Sequence, residues 1–389
     1  MRTKFLRLLA LVLLLGSTWR PIPAQAAQEL KPLFDGQTLK GWRARGDAKF
    51  DILDGAIRGS TGGGGFGWLC TEKTYGDFVL ELELKIIAGN SGVQIRSHLP
   101  DGKTMVGYQI EGDPSRRAWS GGLYEQGRRG WLQNLTNLPA ARAAFKTNEW
   151  NRYRIVCEGA AIRSWVNDVP ATDYLDAMDL DGLIALQVHS GKGVEVWFRN
   201  LRLADNGRHR WQPLWDGKTL NGWHTIGKGD WQITDGAICA SHAASEAEFG
   251  HLVTDSAFGD FTARLKYKSV RGNSGFYFRI LEQGFSGVSG FQAEIDPTKD
   301  AGGLYETNGR SWVSQPTPDA VKKWYRPDAW NTMTVHAYGR RVAVDVNGFR
   351  TAELMDDPGR LEGRFALQVH GGQDCNVCFK DLEILEKVK

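Results

Sequence analysis

The chain states one pattern twice. "GGLYEQGRRGW" from Gly121 returns as "GGLYETNGRSW" from Gly302, and the match runs far beyond that phrase. "PLFDGQTLKGW" from Pro32 pairs with "PLWDGKTLNGW" from Pro213, "YGDFVLELELKIIAGNSGVQIRS" from Tyr75 with "FGDFTARLKYKSVRGNSGFYFRI" from Phe258, and "GYQIEGDP" from Gly107 with "GFQAEIDP" from Gly290. Nearer the end of each copy, "EWNRYRIVCEG" from Glu149 pairs with "AWNTMTVHAYG" from Ala329, and "GLIALQVHSG" from Gly182 with "GRFALQVHGG" from Gly363. The offset is 181 from Phe34 to Trp215, 183 from Asn90 to Asn273 and 181 from His189 to His370. So constant a spacing over a whole half means that a complete domain was duplicated. With 389 residues, each copy is long enough to bury its own core. The expected division is residues 1–26 as a leader, 27–206 as the first copy and 207–389 as the second.

Within each copy the local signal is strand. "FVLELELKI" alternates apolar and polar residues, "YRIVCEGAAIRSWVND" reads as two strands around Gly159, and "VEVWFRNLRL" and "CNVCFKDLEIL" close the two halves alike. One helical piece is expected at "LPAARAAF", with Pro139 in its first turn. Many short strands with turn residues every 8 to 12 positions, 47 Gly and 15 Trp point to an all-β chain of two tandem antiparallel β-sandwich domains. The short polar connection "ADNGRHRWQPLW" predicts that the two halves pack side by side.

The first residues carry Arg2, Lys4 and Arg7, an apolar run from Leu8 to Leu15, and the small-residue site Ala24-Gln25-Ala26. This is the grammar of a secretory signal cleaved after Ala26, and it predicts export to the periplasm or the medium. Removing residues 1–26 takes away four basic residues and turns the formal charge of +3 into −1, from 44 basic and 45 acidic residues. Nucleic acid is therefore not an expected partner, and no apolar run long enough to span a membrane follows the leader. Of the five cysteines (Cys70, Cys157, Cys239, Cys375 and Cys378) at least one is left without an intramolecular partner. "CNVC" reads as strand rather than as a metal or redox loop, because positions i and i+3 of a strand face opposite sides.

The chemistry-bearing residues recur at matching positions. Spacing of two places Gln109, Glu111 and Asp113 on one strand face, and Gln292, Glu294 and Asp296 likewise. Two neighbouring carboxylates push their pKa values apart, as an acid and base pair requires, and could also hold a hard cation such as Ca²⁺. Arg96 and Arg279 follow the Asn90 and Asn273 turns, with Gln94 and His98 expected on the face of Arg96. "LQVH" sets Gln187 with His189, and Gln368 with His370, opposite core-facing Leu186 and Val188. The repeated phrase adds Tyr124, Glu125 and Arg128, with Tyr305, Glu306 and Arg310. No P-loop, nucleophile elbow, zincin motif or dinucleotide fingerprint is present.

In this order, "LFDG-x-x-L-x-GW", "GNSG-x-x-x-R", "GYQ-x-E-x-D", "GGLYE", "WN-x-x-x-I" and "LQ-x-H" resemble the 3-keto-disaccharide hydrolase domain family, over roughly 32–204 and 213–386. The resemblance implies a concanavalin A-like jelly roll with a concave glycan-binding face, and exported proteins that act on glycosides oxidised at C3. It also implies base catalysis by Glu111 or His189, and enolate stabilisation by Arg96 or by a cation held between Glu111 and Asp113. Asn90, Gln109, Tyr124, Glu125 and Gln187 would position the sugar. The second copy would use Glu294, His370, Arg279 and Asp296, with Asn273, Gln292, Tyr305, Glu306 and Gln368 as sugar contacts. A non-catalytic tandem carbohydrate-binding module fits the same fold, and His98, Tyr108 and Arg129 meet Leu281, Phe291 and Gly309 at their counterparts, so the copies need not act alike.

Overall fold

A computed structural model describes residues 29–61, 64–284 and 287–388. The leader proposed at residues 1–26 lies outside the described residues. Each half is a sandwich of two antiparallel sheets, one of eight strands and one of seven. In the first half the seven-stranded sheet runs Gly130–Gln133, Leu123–Gln126, Val106–Gly112, Ser91–His98, Gly182–Val188, Gly67–Tyr75, Trp42–Gly46. The second half repeats that order with Ser311–Ser314, Leu304–Thr307, Gly287–Ile295, Ser274–Gln283, Gly363–Val369, Gly250–Phe258, Trp223–Gly227. Identical strand order, not only similar sequence, carries the duplication into three dimensions.

The alternation predicted these layers. In Phe78–Ala88, the residues Phe78, Leu80, Leu82, Leu84 and Ile86 are all buried, while the glutamates between them are partly exposed. They pack against Val93, Ile95, Ile110, Leu186 and Val188 of the seven-stranded sheet. Because strand side chains alternate, the intervening Gln94, Gln109, Glu111 and Gln187 must stand on the opposite, outer face of that sheet. The core thus dictates where the polar row goes. The helix at Pro139–Ala144 forms with Pro at its start, as its sequence predicts.

The halves meet through charged side chains on main chain and through an apolar cluster of Ala160, Ala177 and Leu180 with Trp211 and Leu385. Arg129 Nη1 donates to Gly348 O at 3.1 Å, Arg350 Nη2 to Leu175 O at 2.5 Å, and Arg341 Nη2 to Asp173 O at 3.1 Å. Cys239 and Cys378, paired residues on neighbouring strands, form a disulfide, and Cys70, Cys157 and Cys375 are free and buried. Among the described residues no helix is long and apolar enough to cross a membrane.

Candidate functional site

The repeated phrase has a local task. Gly121 N donates to Glu111 O at 2.8 Å and Glu111 N to Gly122 O at 3.0 Å. The second copy repeats this with Gly302 N to Glu294 O and Glu294 N to Gly303 O, both at 2.9 Å. The two glycines therefore clamp the backbone of one glutamate in each copy. The second glycine of "GNSG" serves the same site: a Cβ on Gly92 would stand 2.6 Å from Gln109 Cδ, and one on Gly275 would stand 2.6 Å from Gln292 Cγ. Only a residue without a side chain leaves room there for the glutamine to lie across the strand.

In the first copy the row is a connected amide network. Gln94 Nε2 and Gln187 Nε2 donate to Gln109 Oε1 at 2.6 and 2.8 Å, and Gln109 Nε2 donates to Glu111 Oε2 at 2.7 Å. Asn90 Nδ2 donates to the other oxygen, Glu111 Oε1, at 2.8 Å. Buried polar groups are tolerable only when bonded in this way. Gln187 Oε1 and the cross-strand neighbour's Trp68 Nε1 are nonetheless buried with no partner among the described residues.

Burial raises the pKa of Glu111, opposed by the Asn90 and Gln109 hydrogen bonds and the Arg117 charge. Arg117 Nη2 lies 3.2 Å from Glu111 Oε1, while its Nε donates to Asp113 Oδ2 at 2.7 Å. Burial alone would raise Asp113 too, but hydrogen bonds from Ser115 and Arg117 bring it below the ordinary carboxylate value. The guanidinium sits 5.0 Å from the ring centres of both Trp119 and Trp131, and Tyr124 meets Trp131 edge-on at 5.3 Å. The cation expected between Glu111 and Asp113 is thus the protein's own arginine. Its guanidinium occupies the carboxylates, so this pair does not suit Ca²⁺; among the described residues no group of three or more His, Cys, Asp or Glu is placed to hold a metal ion. Sequence reasoning passed over Arg117, Trp119 and Trp131; the signal for the first two was the insertion "SRRAWS", which the second copy lacks.

The second copy is built differently at the same place. Asp113 to Gly121 spans two residues more than Asp296 to Gly302, and neither Arg117 nor Trp119 has a counterpart. Among the described residues no arginine or lysine forms an ion pair with Glu294, which Asn273 and Gln292 hydrogen-bond on its two oxygens. Burial pushes its pKa up to about 8, with Asp296 and Asp300 adding to the rise. Tyr277 replaces Gln94 and donates to Gln292 Oε1 at 2.5 Å while accepting from Gln368 Nε2 at 2.9 Å. A cavity of about 420 Å³ opens over these groups, walled by Tyr305, Trp312, Phe249 and His370.

Two pairs of expected site residues stand elsewhere. Arg96 was placed beside Gln94, but a register shift between Ile95 and His98 and a left-handed φ of 45° at Arg96 turn its side chain to the far side of the sheet. There it is fully buried, donating to Gly76 O at 2.8 Å and Gly159 O at 2.7 Å and paired with Asp77 at 3.2 Å. Arg279, with φ 52°, likewise donates to Gly339 O and Gly259 O. These arginines brace the sandwich and do not share the face of Glu111 and Glu294. Gly182 and Gly363 allow the bulge, since a Cβ on either would come 2.4 Å from the carbonyl carbon of Arg96 or Arg279. Glu125 and Glu306 also leave the site. Their cross-strand neighbours are Tyr108 and Phe291, on the face opposite Gln109 and Gln292, and they pair with Arg129 and Arg310.

Asp113 faces Arg117, and Asp296 accepts from Thr298 N at 2.7 Å, so both support the loop beside the glutamate. His189 stands exposed at the end of its strand; its backbone N donates to Asn90 O at 3.3 Å, and its Nδ1 donates to Ser190 O at 3.0 Å. His370 Nδ1 does the same to Gly371 O at 2.6 Å, and the ring lines the second cavity with Glu294.

A family model, the 3-keto-alpha-glucoside-1,2-lyase-like domain, matches residues 29–204 and again 210–385. A 3-keto-disaccharide hydrolase of Bacteroides thetaiotaomicron is 25% identical over 224 residues, covering 44% of this chain and 76% of that protein. Among solved structures, a carbohydrate binding module from Bacillus subtilis is similar with a TM-score of 0.33 and 18% identity, covering 41% of this chain and 93% of that one. A galectin-like fold protein of Bacillus subtilis gives a TM-score of 0.37 at 14% identity, covering 46% and 96%. The two matched segments take in nearly all of the described chain, which therefore belongs, in tandem, to the 3-keto-alpha-glucoside-1,2-lyase-like domain family.

Proposed function

We propose that the chain, exported to the periplasm or beyond, cleaves 3-keto-glycosides by elimination followed by hydration. The observation that carries this reading is a glutamate buried in a bed of amides on the outer face of the sheet, clamped through its backbone and paired with a guanidinium. A ketone at C3 makes the C2 hydrogen acidic. Glu111 takes that proton, and the C2–H electron pair moves into the C2–C3 bond, leaving negative charge on the C3 oxygen. Arg117 faces that charge, which is where a fixed cation lowers a barrier most. Collapse of the enolate forms a C1–C2 double bond, restores the ketone and expels the C1 oxygen, which takes a proton from His189. Water then adds across C1–C2 to give the free 3-keto sugar. Trp131 and Tyr124 offer the apolar surface on which a sugar ring stacks.

The guanidinium matters to the base itself. A carboxyl in so dry a place resists ionisation, and the positive neighbour opposes that, favouring the charged form that a base needs. The disulfide Cys239–Cys378 supports an oxidising compartment.

The test is a C2-deuterated 3-keto-glucoside. Rate-limiting proton abstraction predicts cleavage several-fold slower than with the protonated substrate, and no cleavage of the unoxidised parent. Equal rates together with cleavage of the parent would instead indicate direct displacement at C1 by two carboxylates.

A further inference from the structure

The two copies have parted in chemistry at one point in space. In the first, Arg117 stands on the carboxylate and against the rings of two tryptophans that themselves meet edge-on. In the second, the loop that would carry it is shorter, and the space above Glu294 is a cavity of about 420 Å³, within the roughly 300–1,000 Å³ typical of small-molecule sites.

No arginine or lysine lines that cavity, and the Lys299 charge, from outside the lining, only opposes the rise in the Glu294 pKa. The cavity floor is Glu294, Gln292, Tyr277 and Gln368, and Tyr305 and Trp312 meet edge-on at 5.3 Å on its wall. An enolate formed there would face amides, a phenol, a carboxyl group and the imidazoles of His251 and His370, without the guanidinium that the first copy provides. We propose that the second copy is a binding site for an uncharged, unoxidised sugar unit and not a second reaction centre, with Gln368 reading a hydroxyl, Tyr277 and Gln292 holding its amide in place, and Trp312 carrying a ring face. This rests on the reading of Glu111 and Arg117 as the reaction centre of the first copy. The Tyr277 hydroxyl is fixed as a hub, donating to Gln292 and accepting from Gln368 and from Thr307 Oγ1 at 3.2 Å. Gln368 Oε1 is buried with no partner among the described residues, an acceptor open to a sugar hydroxyl. At neutral pH Glu294 keeps its proton and adds one more neutral donor. Such a lining rewards hydroxyls and aliphatic ring faces, and repels neither sign of charge strongly.

The experiment uses the full chain and two readouts. Equilibrium binding is followed for sucrose, trehalose, maltose, cellobiose and lactose, and turnover is followed with a p-nitrophenyl 3-keto-glucoside. At least one disaccharide should bind, and Trp312→Ala and the milder Tyr277→Phe and Glu294→Gln should weaken it tenfold or more. Glu111→Gln and Arg117→Gln should leave that binding in place while lowering kcat a hundredfold or more. Glu294→Gln should raise KM and lower kcat by less than tenfold. A loss of kcat in Glu294→Gln as large as that in Glu111→Gln overturns the proposal, as does failure of every disaccharide to bind. If wild type cleaves nothing but disaccharide binding is lost in the second-copy variants, the reaction proposed above falls and the binding site stands.

Discussion

Arg117 spans Glu111 and Asp113, with its Nη2 3.2 Å from one carboxylate and its Nε 2.7 Å from the other. One side chain thereby opposes the burial-driven rise in the Glu111 pKa and, in the proposed reaction, presents a cation to the substrate. Arg117→Gln removes both effects. The pKa of Glu111 should rise further, so the acid limb of the kcat/KM profile should move to higher pH, because the base works only when ionised. Activity at neutral pH should fall about a hundredfold, the scale of losing one charge-stabilising donor. A profile that neither moves nor falls would remove Arg117 from the mechanism.

Glu294 predicts a pH dependence of stability. Its pKa stands at about 8 against an ordinary 4.5, so folding favours the protonated form. That contribution is fully present below the unfolded value and is lost as pH rises through about 8, on the order of a few kcal/mol. Urea unfolding of wild type at about pH 5 and about pH 8.5 should show this decline, and Glu294→Gln should show less of it. Parallel pH profiles for the two proteins would mean that Glu294 ionises normally.

Arg96 should matter for stability and not for chemistry. Arg96→Met strips a buried charge from Asp77 and three hydrogen bonds from the bulge, which should cost about 3–5 kcal/mol. Protein that remains folded at low temperature should keep its kcat. A folded Arg96→Met protein with no turnover would return Arg96 to the reaction.

The cysteines give a count. Denatured without reductant, the chain should expose three reactive thiols (Cys70, Cys157 and Cys375), and five after reduction. The disulfide closes a separation of 139 residues, and its reduction should lower stability by about 2–4 kcal/mol. Five thiols without reductant would argue against an oxidising compartment.

The sandwich, its duplication and the polar row were legible because strand alternation and a constant offset are properties of sequence alone. Glu111 and Gln187 fell where spacing of two put them. Arg96 did not, because a bulge breaks the alternation, and its trace in sequence is only a glycine, Gly182, on the neighbouring strand. Glu125 failed for a simpler reason: it follows Tyr124, and adjacent strand residues cannot share a face. Arg117 was hidden in a loop whose path no periodicity describes. The GNSG glycine looked like turn chemistry, and its packing under Gln109 appears only when the strands are paired.

The most direct measurement is release of p-nitrophenol from a p-nitrophenyl 3-keto-glucoside and from its unoxidised parent, by wild type and by Glu111→Gln. Wild type should cleave the keto compound alone, and Glu111→Gln, folded and still binding sugar, should be at least a hundredfold slower. Cleavage of the keto compound at wild-type rate by Glu111→Gln, or no cleavage by the wild type, would contradict the proposed reaction.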